Sequence, residues 1–255
     1  MEINVLGSSG GIGRGLRTTA LRVGSEILVD CGTGVGDLPL EDLFEIQHVF
    51  ITHSHLDHIA GLPLLIDTIY EKLIKTPLTI HCQQETYQVL MEHIFNWQIW
   101  PNFFILPSKE KPVVRFQPMT SGQSIQIENY KITMVEVEHT VPAVSYIVQD
   151  SRHGFAFSGD TASAPKLWEA LNNESNVDVL IVECAFADER SELANQAKHF
   201  SPKSLAKALA DLKHNPEICV SHLQPGEEDK IMNELRTAMP KRSIRSIVSG
   251  DVLSL

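Results

Sequence analysis

Thr52-His53-Ser54-His55-Leu56-Asp57-His58-Ile59-Ala60-Gly61 is the stretch on which the reading of this chain turns. It follows the apolar run 48–51 and leads into a helical pattern that begins near Leu62, so it lies where a strand hands over to a helix. Three imidazoles and a carboxylate fall within six residues and can aim at one small volume from opposite sides of a loop. Such donors suit Zn²⁺, with ligand distances of about 2.0–2.2 Å. A lone histidine is more often structural. Three of them with an aspartate in this order point to a metal centre.

Outward from that stretch, short runs rich in β-branched residues and bounded by Gly, Asp and Asn read as strands. They cover 3–6, 19–23, 27–29, 48–52, 78–81, 125–127, 131–137, 144–148, 154–158, 179–183, 218–221 and 244–246. Helical periodicity appears at 62–75, 84–95, 165–172, 202–211 and 227–237. No low-complexity linker divides the chain, so one domain spanning 1–255 is expected. Strands with few helices in the first half, and a repeat of that pattern, fit an α/β sandwich of two sheets covered by helices. The stretch 96–112, NWQIWPNFFILPSKEKP, has aromatics and prolines but no period. It reads as a loop packing its aromatics on the core, with a lid or dimer contact as the functional alternative.

Gly7-Ser8-Ser9-Gly10-Gly11-Ile12-Gly13 follows the first strand and superficially resembles a dinucleotide-binding turn. A dinucleotide site needs a helix next, whereas the alternation at 19–23 and a turn at Gly24-Ser25 predict a hairpin. No tyrosine is followed four residues later by lysine, so the catalytic pair of short-chain dehydrogenases is missing as well. The glycines are expected to let the chain turn tightly beside the metal centre.

The chain is 43% hydrophobic and carries 21 Lys and Arg against 32 Asp and Glu, a net charge of −11. It lacks the basic footprint of a protein that tracks a nucleic-acid backbone. Two divalent ions would add positive potential inside one cleft, so a small anionic substrate is expected and a long polyanion is not. Cys31, Cys82, Cys184 and Cys219 are scattered, form no CxxC pair, and read as buried small hydrophobes in a reducing compartment. With no signal-like N-terminus and no run of about 18 apolar residues, a soluble cytoplasmic protein without membrane contact is expected. A homodimer is the default expectation for assembly.

The block His53-x-His55-x-Asp57-His58 resembles the signature of the metallo-β-lactamase superfamily. The resemblance implies an αββα sandwich of two mixed sheets flanked by helices, with metals at one edge and further ligands from later strand ends. His139 in VEHT, Asp160 in FSGDT and His222 after 218–221 occur in the implied order. Carried over, His53, His55 and His139 would hold one metal, Asp57, His58 and His222 the other, and Asp160 would bridge them. Asp57 would thereby also belong to the catalytic set. Zinc is the expected metal, and residue types alone leave manganese and iron open.

Val182-Glu183-Cys184-Ala185-Phe186, His199-Phe200-Ser201-Pro202-Lys203 and Ser221-His222-Leu223-Gln224-Pro225 resemble consecutive blocks of the class II cyclic-nucleotide phosphodiesterases. Leu6-Gly7-Ser8-Ser9-Gly10-Gly11 and Leu28-Val29-Asp30-Cys31-Gly32-Thr33 look like that family too, although Phe200 stands where leucine is usual. By this resemblance Glu183 would orient and charge His199, which could stabilise the phosphorane or protonate the leaving oxygen. The implied reaction is hydrolysis of cyclic AMP or cyclic GMP to a 5′-nucleotide, with two metal ions activating water. RNA-end processing, as by the tRNA 3′ endonucleases, or the reaction of another metallo-β-lactamase-fold hydrolase is the alternative. No protruding glycine-rich, basic arm for tRNA is seen, and a degenerate regulatory protein should have lost ligands that are present here.

Overall fold

The computed structural model describes residues 1–174 and 176–255. Its strands in the first half are β1 Glu2–Gly7, β2 Ala20–Val23, β3 Ile27–Val29, β4 His48–Phe50, β5 Leu78–Cys82, the short β6 Pro107–Ser108 and β7 Lys111–Pro112, and β8 Val114–Pro118. The second half contributes β9 Ser124–Ile127, β10 Tyr130–Val137, β11 Ala143–Gln149, β12 Gly154–Phe157, β13 Val179–Glu183, β14 Glu217–Ser221 and β15 Ile244–Ser246. A final strand, β16 Val252–Ser254, returns to pair with β1. Two seven-stranded mixed sheets result, ordered β16-β1-β2-β3-β4-β5-β8 and β15-β14-β13-β12-β11-β10-β9, with β6 and β7 forming a separate ribbon.

Alternation along the strands explains how the layers stack. Successive side chains point to opposite faces, and in β13 Val179 and Ile181 pack between the sheets while Leu180 and Val182 meet the outer helices. In the other sheet Ile27 and Val29 face inward and Leu28 outward. Three apolar layers follow: one between the sheets and one under the helices on each side, which is the four-layer αββα arrangement. The first sheet is covered by α1 Leu40–Glu45, α2 Leu56–Ile59, α3 Leu62–Thr68, α4 Tyr70–Leu73 and α5 Gln84–Val89. The second is covered by α6 Pro165–Asn173, α7 Ser191–Ala197, α8 Pro202–Ala208 and α9 Glu228–Ala238.

The hairpin expected after the glycine loop is present, since β2 and β3 pair antiparallel. The helix expected over 62–75 is instead two, broken at Ile69, which leaves the helical region at φ −104°, ψ 17°. Ile69 is fully buried, so packing outweighs the continuous period there. The first half carries more helix than its sequence pattern indicated, because α1 and α2 are too short to show a period. All four cysteines are free and buried. In the 96–112 stretch Phe103 is buried on the first sheet's helical side and Trp100 and Phe104 pack beside it, while Trp97 and Ile99 stay exposed. Among the described residues no helix is long and apolar enough to cross a membrane.

Strand direction gathers the chemistry at one edge. β12, β13 and β14 run parallel, with Phe157 opposite Ile181 and Glu183 opposite Ser221. β10 is related to β12 through two antiparallel steps, so its C-terminus lies at the same edge. The loop leaving β4 joins them across the sandwich, where Val144 N–H donates to Thr52 O at 3.0 Å.

Candidate metal centre

Each predicted donor sits just past a strand end or on the short helix entered from one. His53 and His55 follow β4, Asp57 and His58 lie on α2, His139 follows β10, Asp160 follows β12 and His222 follows β14. The turn before Asp160 uses Gly159 at φ +60°, where a Cβ would lie 2.8 Å from Val144 O. His222 itself is left-handed at φ +57°, a conformation held because its N–H donates to Ser8 O at 2.6 Å. The glycine loop completes that clamp: Gly10 N–H donates to Leu223 O at 3.0 Å. A Cβ at Gly10 would come within 2.8 Å of His222 O, so close backbone approach demands glycine there.

The donor atoms converge as two groups, His53, His55, His139 with Asp160, and Asp57, His58, His222 with Asp160. Within each group they lie within 4.8 Å of one another. Asp160 Oδ2 is 3.3 Å from His58 Nε2 and 3.7 Å from His53 Nε2, and its Oδ1 is 3.3 Å from His222 Nδ1. The predicted bridging carboxylate is therefore the one residue common to both groups. His53 Nε2, His58 Nε2 and His222 Nδ1 are buried without a hydrogen-bond partner. Buried polar atoms normally find partners, and several orphaned nitrogens aimed at one shared carboxylate are what a pair of divalent cations would satisfy. The residues present fit the group.

Protonation agrees with that fit. Burial, and then the charge on His58, hold His53 well below the ordinary imidazole value. Burial likewise lowers His55, and brings His139 to about 4, so this group presents neutral rings. His58 differs: burial opposes its charge, but the carboxylates of Asp160 and Asp30 on either side raise it well above the usual range. A cation bound there would displace that proton.

Outer partners fix the rings. His139 Nδ1 faces Lys198 O at 2.9 Å, leaving Nε2 for the centre. His58 Nδ1 is 2.6 Å from Asp30 Oδ2, and Asp30 in turn accepts from Thr52 N–H at 2.8 Å and from Thr52 Oγ1. Histidine ligands commonly lean on a carboxylate in this way. Asp30 lies in the block Leu28-Val29-Asp30-Cys31-Gly32-Thr33 but outside the donor set that the sequence implies. The signal available was an aspartate closing an apolar strand run, LVD, where a buried charge needs a partner.

Glu183 and His199 meet beside both groups. His199 Nδ1 lies 2.8 Å from Glu183 Oε1, its ring stacks on His222 at 5.2 Å and meets His139 edge-on at 5.0 Å. Glu183 is fully buried and accepts from the backbone N–H groups of Thr161, Ala185 and Phe200 as well. Burial disfavours a charged His199, but the hydrogen bond and charge of Glu183, with Asp160 and Asp57 behind, raise it to about 9. Cations beside Asp160 and Asp57 would offset their share of that rise, and the Glu183 bond would remain.

A family profile described as "Beta-lactamase superfamily domain" matches residues 25–222. The chain belongs to the beta-lactamase superfamily. Within it, the chain is 24% identical over 204 residues to a probable 3′,5′-cyclic-nucleotide phosphodiesterase of Yersinia pestis, covering 71% of this chain and 57% of that protein. It is 27% identical over 162 residues to a ribonuclease Z of Halorubrum lacusprofundi, covering 60% and 49%. The chain thus spans about half the length of these two curated relatives. Its fold superposes on unliganded yeast PDE1 with a TM-score of 0.82 at 21% identity, covering 100% of this chain and 99% of the other. The chain thus has the metallo-β-lactamase fold, with a His/Asp donor set suited to divalent metal.

Proposed function

We propose that this superfamily member is a zinc-dependent phosphodiesterase that hydrolyses 3′,5′-cyclic nucleotides to 5′-nucleotides. The observation that carries the reading is the Glu183–His199 pair, 2.8 Å apart and packed against His139 and His222. Divalent cations in the two donor groups would supply Lewis acidity, polarising the phosphorus–oxygen bonds and rendering water acidic near neutral pH. The chain's own residues then handle the departing group. Glu183 keeps the proton on His199 Nδ1, so Nε2 carries the second proton of the charged ring and passes it to the leaving 3′ oxygen. Burial raises the Glu183 carboxyl above its ordinary value, and the bond to His199 together with three backbone N–H groups opposes that rise and favours the carboxylate. Its role is orientation.

The same centre supports RNA-end processing as a second reading, favoured by the similarity to ribonuclease Z proteins. The net charge of −11 weighs against a long polyanion. One experiment separates them. Zinc-loaded protein is incubated with cyclic AMP, cyclic GMP, a linear phosphodiester and a tRNA precursor, and the products are identified. 5′-Nucleotides from the cyclic substrates are expected. Cleavage of the precursor alone would overturn the cyclic-nucleotide reading.

A further inference from the structure

Beside the metal centre lies a cavity of about 520 Å³, a size suited to a small organic ligand rather than a lone phosphate. It shares His139 with the first donor group, and Thr140 joins the two, lining the cavity while its Oγ1 lies 3.4 Å from His55 Nε2. The cavity therefore adjoins the first donor group. Much of its wall is apolar, from Val137, Val141 and Pro165.

Its lining carries two carboxylates and one lysine, and each carboxylate is held in an ion pair. Glu136 is paired with Lys166 at 2.5 Å, and Glu138 with Lys198 at 2.9 Å. The lining has no unpaired cation to hold a second phosphate. Such a lining disfavours a polynucleotide chain and admits a flat, uncharged group. Gln83 also lines the cavity, and its Oε1 has no hydrogen-bond partner. An amide with a free carbonyl can turn to offer either its acceptor or its donors to a ring edge.

We propose that this cavity holds the nucleoside portion of a single phosphodiester, with Val141 and Pro165 against its rings and the Gln83 amide on a polar edge. The proposal rests on the phosphodiesterase reading for the position of the phosphate, and it makes the substrate a mononucleotide diester rather than an RNA chain.

The test uses zinc-loaded wild type, Gln83→Leu and Val141→Trp, each titrated calorimetrically with 5′-AMP, inorganic phosphate and a ten-nucleotide RNA. Wild type should bind 5′-AMP at least tenfold more tightly than phosphate. Val141→Trp fills the cavity and should bring that ratio near one, and Gln83→Leu should reduce it several-fold. Taking a ratio within each variant removes any general loss of metal or folding. Equal binding of 5′-AMP and phosphate by wild type, or an undiminished preference in Val141→Trp, would overturn the proposal. Tighter binding of the RNA than of 5′-AMP would overturn it as well. Cyclic AMP hydrolysis is assayed in parallel: a cavity-dependent 5′-AMP preference without turnover upholds the subsite and sinks the enzymatic reading. Turnover without that preference does the reverse.

Discussion

Replacing Glu183 by glutamine keeps the shape of the side chain and removes its charge, so it isolates what that charge does. Glu183 Oε1 accepts from His199 Nδ1 and Thr161 N–H, and Oε2 accepts from Ala185 and Phe200 N–H. A glutamine must turn its NH₂ toward one of these sides. Facing Ala185 and Phe200, it sets two backbone N–H groups against donors. Facing His199, it strands Thr161 N–H and forces the imidazole to accept at Nδ1, which leaves a neutral ring with its one proton on Nε2. The cheaper orientation is the second, with one buried donor unsatisfied at about 1–3 kcal/mol. For a chain of this size each kcal/mol corresponds to roughly 2–4 °C in Tm. Either way the anion that favours a charged His199 is gone, and general acid catalysis typically contributes about 10²–10⁴-fold. Glu183→Gln should therefore lose roughly that much kcat on a cyclic nucleotide, bind two metals, and melt a few degrees lower. His199→Ala is the partner measurement. It leaves the three backbone bonds to Glu183 intact, so it should lose a similar rate and both metals should stay bound. Turnover within threefold of wild type in both variants, at full metal occupancy, would refute the assignment of the pair to catalysis. Loss of metal in His199→Ala would show that this histidine is a ligand.

Asp160→Ala removes the carboxylate shared by both donor groups, so metal content by elemental analysis should fall and turnover should disappear. Near-normal activity with two metals bound would contradict the bridge. Asp30→Asn keeps an acceptor for Thr52 N–H but can donate to His58 Nδ1, moving the ring proton to the nitrogen that faces the centre. Metal affinity measured by competition with a chelator should drop about 10–100-fold, and an unchanged affinity would remove Asp30 from the centre. His81 lies between the sheets, stacked on Phe50 at 4.3 Å and 3.0 Å from His48 Nδ1. Burial, then the charge of His48, hold it down to about 3. The unfolded chain binds a proton near pH 6.5 that the folded chain refuses, so this group's stability is present above about pH 6.5 and declines as pH falls toward about 3. At about 1.4 kcal/mol per unit, about 2 kcal/mol is lost by pH 5. His81→Gln should flatten the fall of urea-unfolding stability between about pH 6.5 and 5, and an unchanged slope would show that His81 does not carry it.

The donor residues could be read from the sequence because ligand chemistry is local in type even when it is distant in space. His53 to His58 sit within one loop, and His139, Asp160 and His222 each follow an apolar strand run whose end the pattern already marked. The parallel order of β12, β13 and β14 then brings those ends together. Asp30 escaped notice for the opposite reason: its role depends on a contact with His58, 28 positions away, and on burial, neither of which a strand pattern encodes. β8 and β16 went unread for a related cause. β8 alternates, with Arg115 and Gln117 on its exposed side, but over only four residues before Pro118, and β16 is a three-residue edge strand whose pairing with β1 is set by tertiary packing. The cavity beside His139 is the strongest case. Its walls come from the β10–β11 turn, the start of α6 and the residue after β5, so no window of sequence contains it. The candidate donors thus follow from one local motif and from the order that the family resemblance implies, whereas the cavity proposed for the substrate emerges only once the two sheets are closed on one another.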